Sequence, residues 1–287
     1  MPDGPQHVET PATHPVRLLH ISDIHFGAED TEALQAVETF IERAKPAAVL
    51  ISGDITLDGR RREFAAARDW IWGLPAPVIA TPGNHDTPVY NVGERVFSPF
   101  ERYRRHLGEV DASEKLIELD GGRIRITGLN TARGMQVRRN WAEGVVGLDD
   151  LDEAVELLKG GPQDAWRILL CHHPLHTPDN ANISVKTLRG AEALRRAAEG
   201  GIDAILTGHT HDAFAQPVLD EDGLPALVQL GAGTLSMRVR GSPASFSVIE
   251  LDGERLTQDV VHAAGGALTL SRAYSAERGS RPASGTA

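Results

Sequence analysis

The stretch VRLLHISDIHFG, Val16 to Gly27, is an apolar run that closes on an acid and an imidazole two positions apart. VRLLHI reads as a core strand, and side chains at i and i+2 of an extended chain face the same way, so Asp23 and His25 are expected to converge on one point. A carboxylate and an imidazole so placed suit a metal site, a proton-transfer pair or a hydrogen-bonded turn. The fragment by itself leaves these three open.

Further along the chain the same kind of run recurs. AAVLISG, PVIATPG, GRIRITGLN, WRILLCH, DAILTGH, PALVQLG and SFSVIEL are short apolar segments bounded by Gly, Asp, Asn or Pro, and each predicts a strand. Between them DTEALQAVETFIERAKP has an acidic start, apolar residues at helical spacing and a closing proline. RREFAAARDWIWGL and SVKTLRGAEALRRAAEGG behave in the same way. This alternation places the chain in the α/β class. From residue 215 onward strands with Gly and Pro turns dominate, which predicts a second, partly antiparallel sheet completing one layered sandwich. No linker divides the chain, so a single domain is expected over 16–271. The proline-rich residues 1–15 read as a flexible N-terminal arm, and the small, polar residues 272–287 as a flexible C-terminal tail.

Composition narrows the partners. The chain has 287 residues, 41% hydrophobic and 24% charged, which is ordinary globular material. With 29 Lys and Arg against 40 Asp and Glu, the net charge of −11 speaks against binding nucleic acid or an anionic membrane through the overall field. No nucleic-acid polymer and no membrane are therefore expected as partners. Cys171 is the only cysteine, so an intrachain disulfide and a thiolate zinc site are both excluded, and Cys171 itself reads as a buried, inert thiol. A single cysteine points to a reducing compartment, and the expected location is the cytoplasm; the first fifteen residues hold no apolar stretch and read as neither a signal peptide nor a membrane span.

The polar clusters share one placement. Asp23 and His25 follow the first predicted strand, Gly53 and Asp54 the second, and GNHD (Gly83 to Asp86) the third. His172 and His173 follow RILLC, and GHTH (Gly208 to His211) follows DAIL. Open α/β sheets gather ligands at the C-terminal ends of their strands, so five turns contribute to one rim. Imidazoles, carboxylates and an Asn carbonyl form a nitrogen and oxygen set suited to Zn, Mn, Fe or Co. The candidates outnumber what one ion needs, and two ions sharing a carboxylate, roughly 3.5–4 Å apart, would clamp a phosphoryl group. Gly53, Gly83 and Gly208 are expected to let the backbone turn sharply so that the next side chain points inward. His7, His14, His20, His106 and His262 fall outside the clusters and read as surface or packing residues.

In this order DIH, GD, GNHD, HH and GHTH resemble the five blocks of the calcineurin-like metallophosphoesterases, over Val16 to Gly233. The resemblance implies a four-layer α/β/β/α sandwich of two mixed sheets flanked by helices. It also implies two divalent or mixed-valence metal ions. Asp23, His25, Asp54 and His211 would hold the first; Asp54 would bridge; Asn84, His172 and His209 would complete the second. His85 is implied as a non-ligand catalytic residue beside the substrate phosphate. His172 is preferred to His173 because the family ligand commonly stands two positions before a proline; His173 would line the pocket or orient a ligand. Asp86 reads either as a partner orienting one of these groups or as a turn residue before Thr87 and Pro88.

The second block, GDITLDGRRREF, together with GHTH, is similar to the branch holding bacterial cyclic nucleotide phosphodiesterases and glycerophosphodiesterases. The leading expectation is a phosphodiesterase that uses a metal-bound hydroxide on small diesters such as 3′,5′-cyclic nucleotides. The alternatives are a phosphomonoesterase, an enzyme for glycerophosphodiesters or organophosphates, or, in a different class, an inactive metal-dependent binding protein. A small phosphate ester is the expected partner, and a homo-oligomer is left open. Two segments bear on specificity. One carries Tyr90, Phe97, Phe100 and Tyr103 beside Arg95, Arg102, Arg104 and Arg105, fit either to stack on a base and pair a phosphate or to form an ordinary helix with a basic solvated face. The other places Asn130 and Arg133 near the rim or in a plain connecting loop.

Overall fold

The computed structural model describes residues 15–110, 116–136, 140–179, 183–264 and 267–278. In β1 (Val16–Ile21) and β2 (Ala48–Ser52) every second side chain serves a different core. Leu19, Ile21, Val49 and Ile51 face α1 (Thr31–Ala44) and α2 (Arg61–Gly73), whereas Leu18, Ala48 and Leu50 face a second sheet. Strands buried on both faces lose the polar alternation of a half-exposed strand, which is why these runs read as continuously apolar.

The first sheet has the order β14-β13-β12-β1-β2-β3, where β3 is Val78–Thr81, β12 Ser245–Asp252, β13 Arg255–Ala264 and β14 Ala267–Glu277. β1, β2 and β3 run parallel, and β12 to β14 join antiparallel. The second sheet has the order β10-β11-β9-β7-β5-β4. Here β4 is Ile117–Leu119, β5 Ile124–Leu129, β7 Trp166–Cys171, β9 Ala204–Thr207, β10 Phe214–Leu219 and β11 Pro225–Gly231. The inner four of these are parallel and the two edge strands antiparallel. Leu169, Cys171 and Ile205 pack under α5 (Leu148–Lys159) and α6 (Gly190–Glu199), while Ile168, Leu170 and Leu206 meet the first sheet. Three cores thus separate four layers, and the fold is the α/β/β/α sandwich of two mixed sheets.

Local chemistry sets the helix limits. Asp30 caps α1 by accepting from the backbone N–H groups of Glu32 and Ala33, and the left-handed Lys45 closes it before Pro46. The aromatic and basic segment after β3 forms two short helices, α3 (Val92–Phe97) and α4 (Glu101–Leu107), parted at Pro99. The helix expected over SVKTLRGAEALRRAAEGG begins only at Gly190, because Thr187–Leu188 pairs as strand β8 with β6 (Gly144–Val145). The boundary at 271 also moves: β14 pairs with β13 through Glu277, so the start of the expected tail is sheet. The expected arm, Pro15 excepted, and the last residues of the tail lie outside the described residues. Among the described residues no helix is long and apolar enough to cross a membrane.

Candidate metal centre

β1, β2, β3, β7 and β9 all end at the same edge of the sandwich, and the five clusters occupy the turns that follow. The route by which the side chains converge differs from the strand geometry expected for Asp23 and His25. Both residues lie beyond β1 with positive φ, 52° and 50°, and Asp54, His209 and His211 share that left-handed backbone at 50°, 69° and 64°. Asp and His tolerate this region better than most residues, yet each instance still costs about 1–2 kcal/mol. The turns brace one another against that cost. Asp23 N–H donates to Gly53 O at 3.1 Å, His25 N–H to Asp54 O at 3.0 Å, and the Thr234 hydroxyl to Asp23 O at 2.7 Å.

The glycines do two different jobs. Gly53 does adopt a positive φ of 80°. Gly83 and Gly208 do not; they are required by close approach, since an added Cβ would fall 2.2 Å from Asp54 Oδ1 or 1.8 Å from Ser22 Oγ. Asp86 ties the second and third turns together. Its buried carboxylate accepts from Ile55 N–H (3.2 Å), Thr56 N–H (2.8 Å), the Thr56 hydroxyl (2.9 Å) and Gly83 N–H (2.8 Å). Of the two readings of Asp86, these bonds favour a positioning part within the turn.

Imidazole orientation follows from backbone carbonyls. His172 Nδ1 donates to Ser52 O at 2.7 Å and His211 Nδ1 to Arg238 O at 2.6 Å, leaving Nε2 of each ring to face inward. There His211 Nε2 stands 3.4 Å from His25 Nε2 and 3.2 Å from Asp23 Oδ1. His172 Nε2 stands 3.3 Å from His209 Nδ1 and 3.3 Å from Asp54 Oδ2. Asp54 Oδ2 also lies 3.9 Å from His25 Nε2, which places this carboxylate between the two imidazole pairs. Asp23 Oδ1 and Asn84 Oδ1 are buried and have no hydrogen-bond partner.

These features fit two cations. Two inward ring nitrogens at hydrogen-bond distance need a proton or a cation between them, and a buried orphan oxygen needs the same. The groups Asp23, His25 and His211, and Asp23, Asp54 and His172, each bring their donor atoms within 4.8 Å of one another. The same proximity holds for His172, His173 and His209, yet His173 is already satisfied. Its Nε2 donates to Ala142 O at 3.1 Å, and its Nδ1 meets the Thr131 hydroxyl at 2.9 Å.

Burial and charge pull the site's proton affinities apart. Burial holds His25 at about 4 against the pull of Asp54 and Asp23, and burial with the neighbouring His172 takes His209 to about 3. Burial opposes the charge on His172 as well, but the Asp54 carboxylate outweighs it and raises the ring to about 9. Asp86 is pushed up to about 6, chiefly by burial and then by the Asp54 charge.

The remaining expected residues divide. His85 lies beside the cluster, its ring edge-on to His25 at 4.8 Å between centroids, with Nδ1 donating to Leu57 O at 2.6 Å. Asn130 and Arg133 spend their bonds on their own turn: Asn130 Oδ1 accepts from Ala132 N–H, and Arg133 donates to the Asn130 and Ala132 carbonyls. In the segment after β3, Phe100 and Tyr103 are core residues. Arg95 donates to Gly134 O, and Arg102 is held by Glu94 and Gly59 O. Tyr90 and Phe97 are exposed. An open polar cavity of about 250 Å³ adjoins the His209 side, lined also by Asn140, Glu143 and Lys186.

One residue at the site escaped the sequence reading. Arg238, in the turn after β11, brings Nη1 to 3.2 Å from His85 Nε2 and 3.4 Å from His25 Nε2. Its signal was available: MRVRGS follows a predicted strand at the same edge as the other five turns.

Comparison with known proteins identifies a family and a fold. A family model described as calcineurin-like phosphoesterase matches residues 16–213. A probable cyclic nucleotide phosphodiesterase of Synechococcus sp. is 25% identical, covering 85% of this chain and 91% of the relative. A glycerophosphodiester phosphodiesterase of Enterobacter lignolyticus is 34% identical over 24% of this chain and 29% of its own. Among solved structures, a dimetal phosphatase from Danio rerio superposes with a TM-score of 0.61 at 13% identity, covering 90% of this chain and 99% of that one, a likeness of fold.

Proposed function

The chain belongs to the calcineurin-like phosphoesterase family, and from that premise we propose that it is a phosphodiesterase of small diesters, with 3′,5′-cyclic nucleotides as its substrates. The observation that carries the reading is the pair of inward nitrogen contacts, 3.4 Å and 3.3 Å, on either side of Asp54. Relatives named as cyclic nucleotide phosphodiesterases align along most of the chain and favour the diester over the monoester reading.

In this reading Asp23, His25 and His211 would hold one ion and Asn84, His172 and His209 the other, with Asp54 shared between them. Two such ions, when bound, supply Lewis acidity toward the phosphoryl oxygens and an activated water. The chain's own contribution is preorganisation. Carbonyls of Ser52 and Arg238 set the tautomers of His172 and His211, so no reorientation is needed when substrate arrives. His85, with Nδ1 anchored on Leu57 O, keeps Nε2 at the open side, where it can serve charge on the leaving oxygen. The polar cavity beside His209, with Asn140, Glu143 and Lys186, offers hydrogen-bond partners to the hydroxyls of a nucleoside portion. A buried Cys171 with no second cysteine agrees with a reducing compartment such as the cytoplasm. The alternative of an inactive binding protein is disfavoured by the intact donor set.

The test is a side-by-side assay of metal-reconstituted protein on bis(p-nitrophenyl) phosphate, p-nitrophenyl phosphate and cyclic AMP. Faster turnover of the two diesters is expected. Equal or faster hydrolysis of the monoester overturns the phosphodiesterase reading.

A further inference from the structure

Arg238 is a guanidinium placed where an anion is needed. No carboxylate lies within ion-pair distance of it among the described residues; its side-chain contacts are His85 Nε2 at 3.2 Å and the His25 ring nitrogens at 3.4 and 3.5 Å. Many of the described arginines pair with a carboxylate, as Arg60, Arg102, Arg125, Arg196 and Arg272 do, and Arg95 and Arg133 donate to backbone carbonyls; Arg238 instead faces two imidazoles. A half-buried guanidinium without such a partner keeps donors idle and a charge uncompensated, which is costly unless a ligand completes it.

The residue is also held as firmly as the metal-site residues. Arg238 N–H donates to Ser236 Oγ at 3.3 Å, and that hydroxyl pairs with Thr234 Oγ1 at 2.7 Å, which donates to Asp23 O. Its carbonyl accepts from His211 Nδ1 at 2.6 Å. Met237 N–H, one residue earlier, donates to Ala28 O at 2.9 Å. His85 Nε2 and Arg238 Nη1 face one another at 3.2 Å, so the two side chains border the same space beside the cluster. Arg240, two residues on, is exposed and reaches only the His209 carbonyl at 3.4 Å. The turn therefore presents one half-buried guanidinium beside the cluster and one exposed one.

We propose that Arg238 binds the substrate directly, its guanidinium donating to a non-bridging phosphoryl oxygen of the ester on the His25 and His85 side of the centre. The inference rests on the phosphoesterase reading for the identity of the anion, and it lies outside the family match, which ends at residue 213. A planar fork of donors suits a phosphoryl group, whose charge grows during in-line attack.

Arg238→Met and Arg238→Lys, made in the full chain and reconstituted with Mn²⁺, test it. Wild type and variants are compared for metal content, for kcat and KM on bis(p-nitrophenyl) phosphate, and for affinity toward inorganic phosphate by calorimetry. Metal content is expected to hold while Arg238→Met raises KM and weakens phosphate binding roughly 10–100-fold, the loss of one charge-assisted bond. Arg238→Lys should recover part of this, since it restores the charge without the fork. Phosphate affinity and KM within twofold of wild type in Arg238→Met would overturn the contact. Loss of metal alongside KM would overturn it too, making Arg238 a support of the ligand turns. If wild type hydrolysed no ester but phosphate affinity still fell in Arg238→Met, the phosphodiesterase reading would fail and the anion site would stand.

Discussion

Asp23, His25, Asp54 and His172 are at most 2% exposed, whereas Tyr90 and Phe97, on the segment that leaves the third turn, are 71% and 88% exposed. The buried cradle is over-determined: left-handed backbone at five of its residues is held by bonds from one turn to the next, and Asp86 alone accepts four bonds, three of them from the second turn. The exposed rim is wired differently. Arg102 is spent on Glu94 and Gly59 O and Arg133 on carbonyls of its own turn, whereas Arg238 reaches the His85 and His25 rings. The donor atoms of the cradle are therefore held by turns that brace one another, while Tyr90 and Phe97 on the rim stay exposed.

The sharpest way to break this contrast is at Asp54. Asp54→Ala removes the carboxylate between the two imidazole pairs, and diester turnover is expected to fall on the order of a thousandfold with loss of bound metal. Kinetics and elemental analysis on one sample check it; retained metal would mean the bridge lies elsewhere. Next comes Gly83→Ala, whose Cβ would fall 2.2 Å from Asp54 Oδ1 and 2.3 Å from Asp54 N. A stability loss of about 1–3 kcal/mol, read by thermal melting, is expected together with weaker metal binding. On the rim, Arg102→Met should cost about 1 kcal/mol of stability and leave diester turnover within about twofold, because its partners are structural.

Proton linkage gives a further contrast. In the metal-free chain the Asp54 carboxylate, outweighing burial, raises His172 to about 9. A folded-state value above the usual 6.5 means that this ion pair stabilises the metal-free protein fully below about pH 6.5 and loses its contribution as pH rises through about 9. A cation must displace that proton, so apparent metal affinity should rise about tenfold per pH unit below 9 for this group. Calorimetry in buffers of different ionisation enthalpy reads the released proton; a pH-independent affinity would contradict the assignment. The smallest effect belongs to Cys171, which burial pushes up to about 12. Its thiolate is scarce at pH 8, so a thiol reagent should label it only after denaturation.

Much of the cradle was legible in the chain because every candidate ligand stands within a few residues of an apolar run, and strand ends sharing one edge gather such residues. The backbone that brings them together was not. Residue types at Asp23 and His25 suggested strand alternation, while φ values of 52° and 50° come from pairing with the Gly53 and Asp54 turn far along the chain. Arg238 was missed for a related reason: its meaning rests on His85, 153 positions away in the sequence. β8 and the end of β14 escaped because short or exposed strands lack the burial that imprints a pattern.

The central claim is that two ions share Asp54, one of them depending on Asn84, whose buried Oδ1 has no partner. Metal equivalents per chain, measured by elemental analysis after reconstitution and gel filtration of wild type and Asn84→Ala, test it most directly. About two equivalents in wild type and about one in the variant are predicted from the two-ion clamp. One equivalent in both, or two in both, would contradict the account.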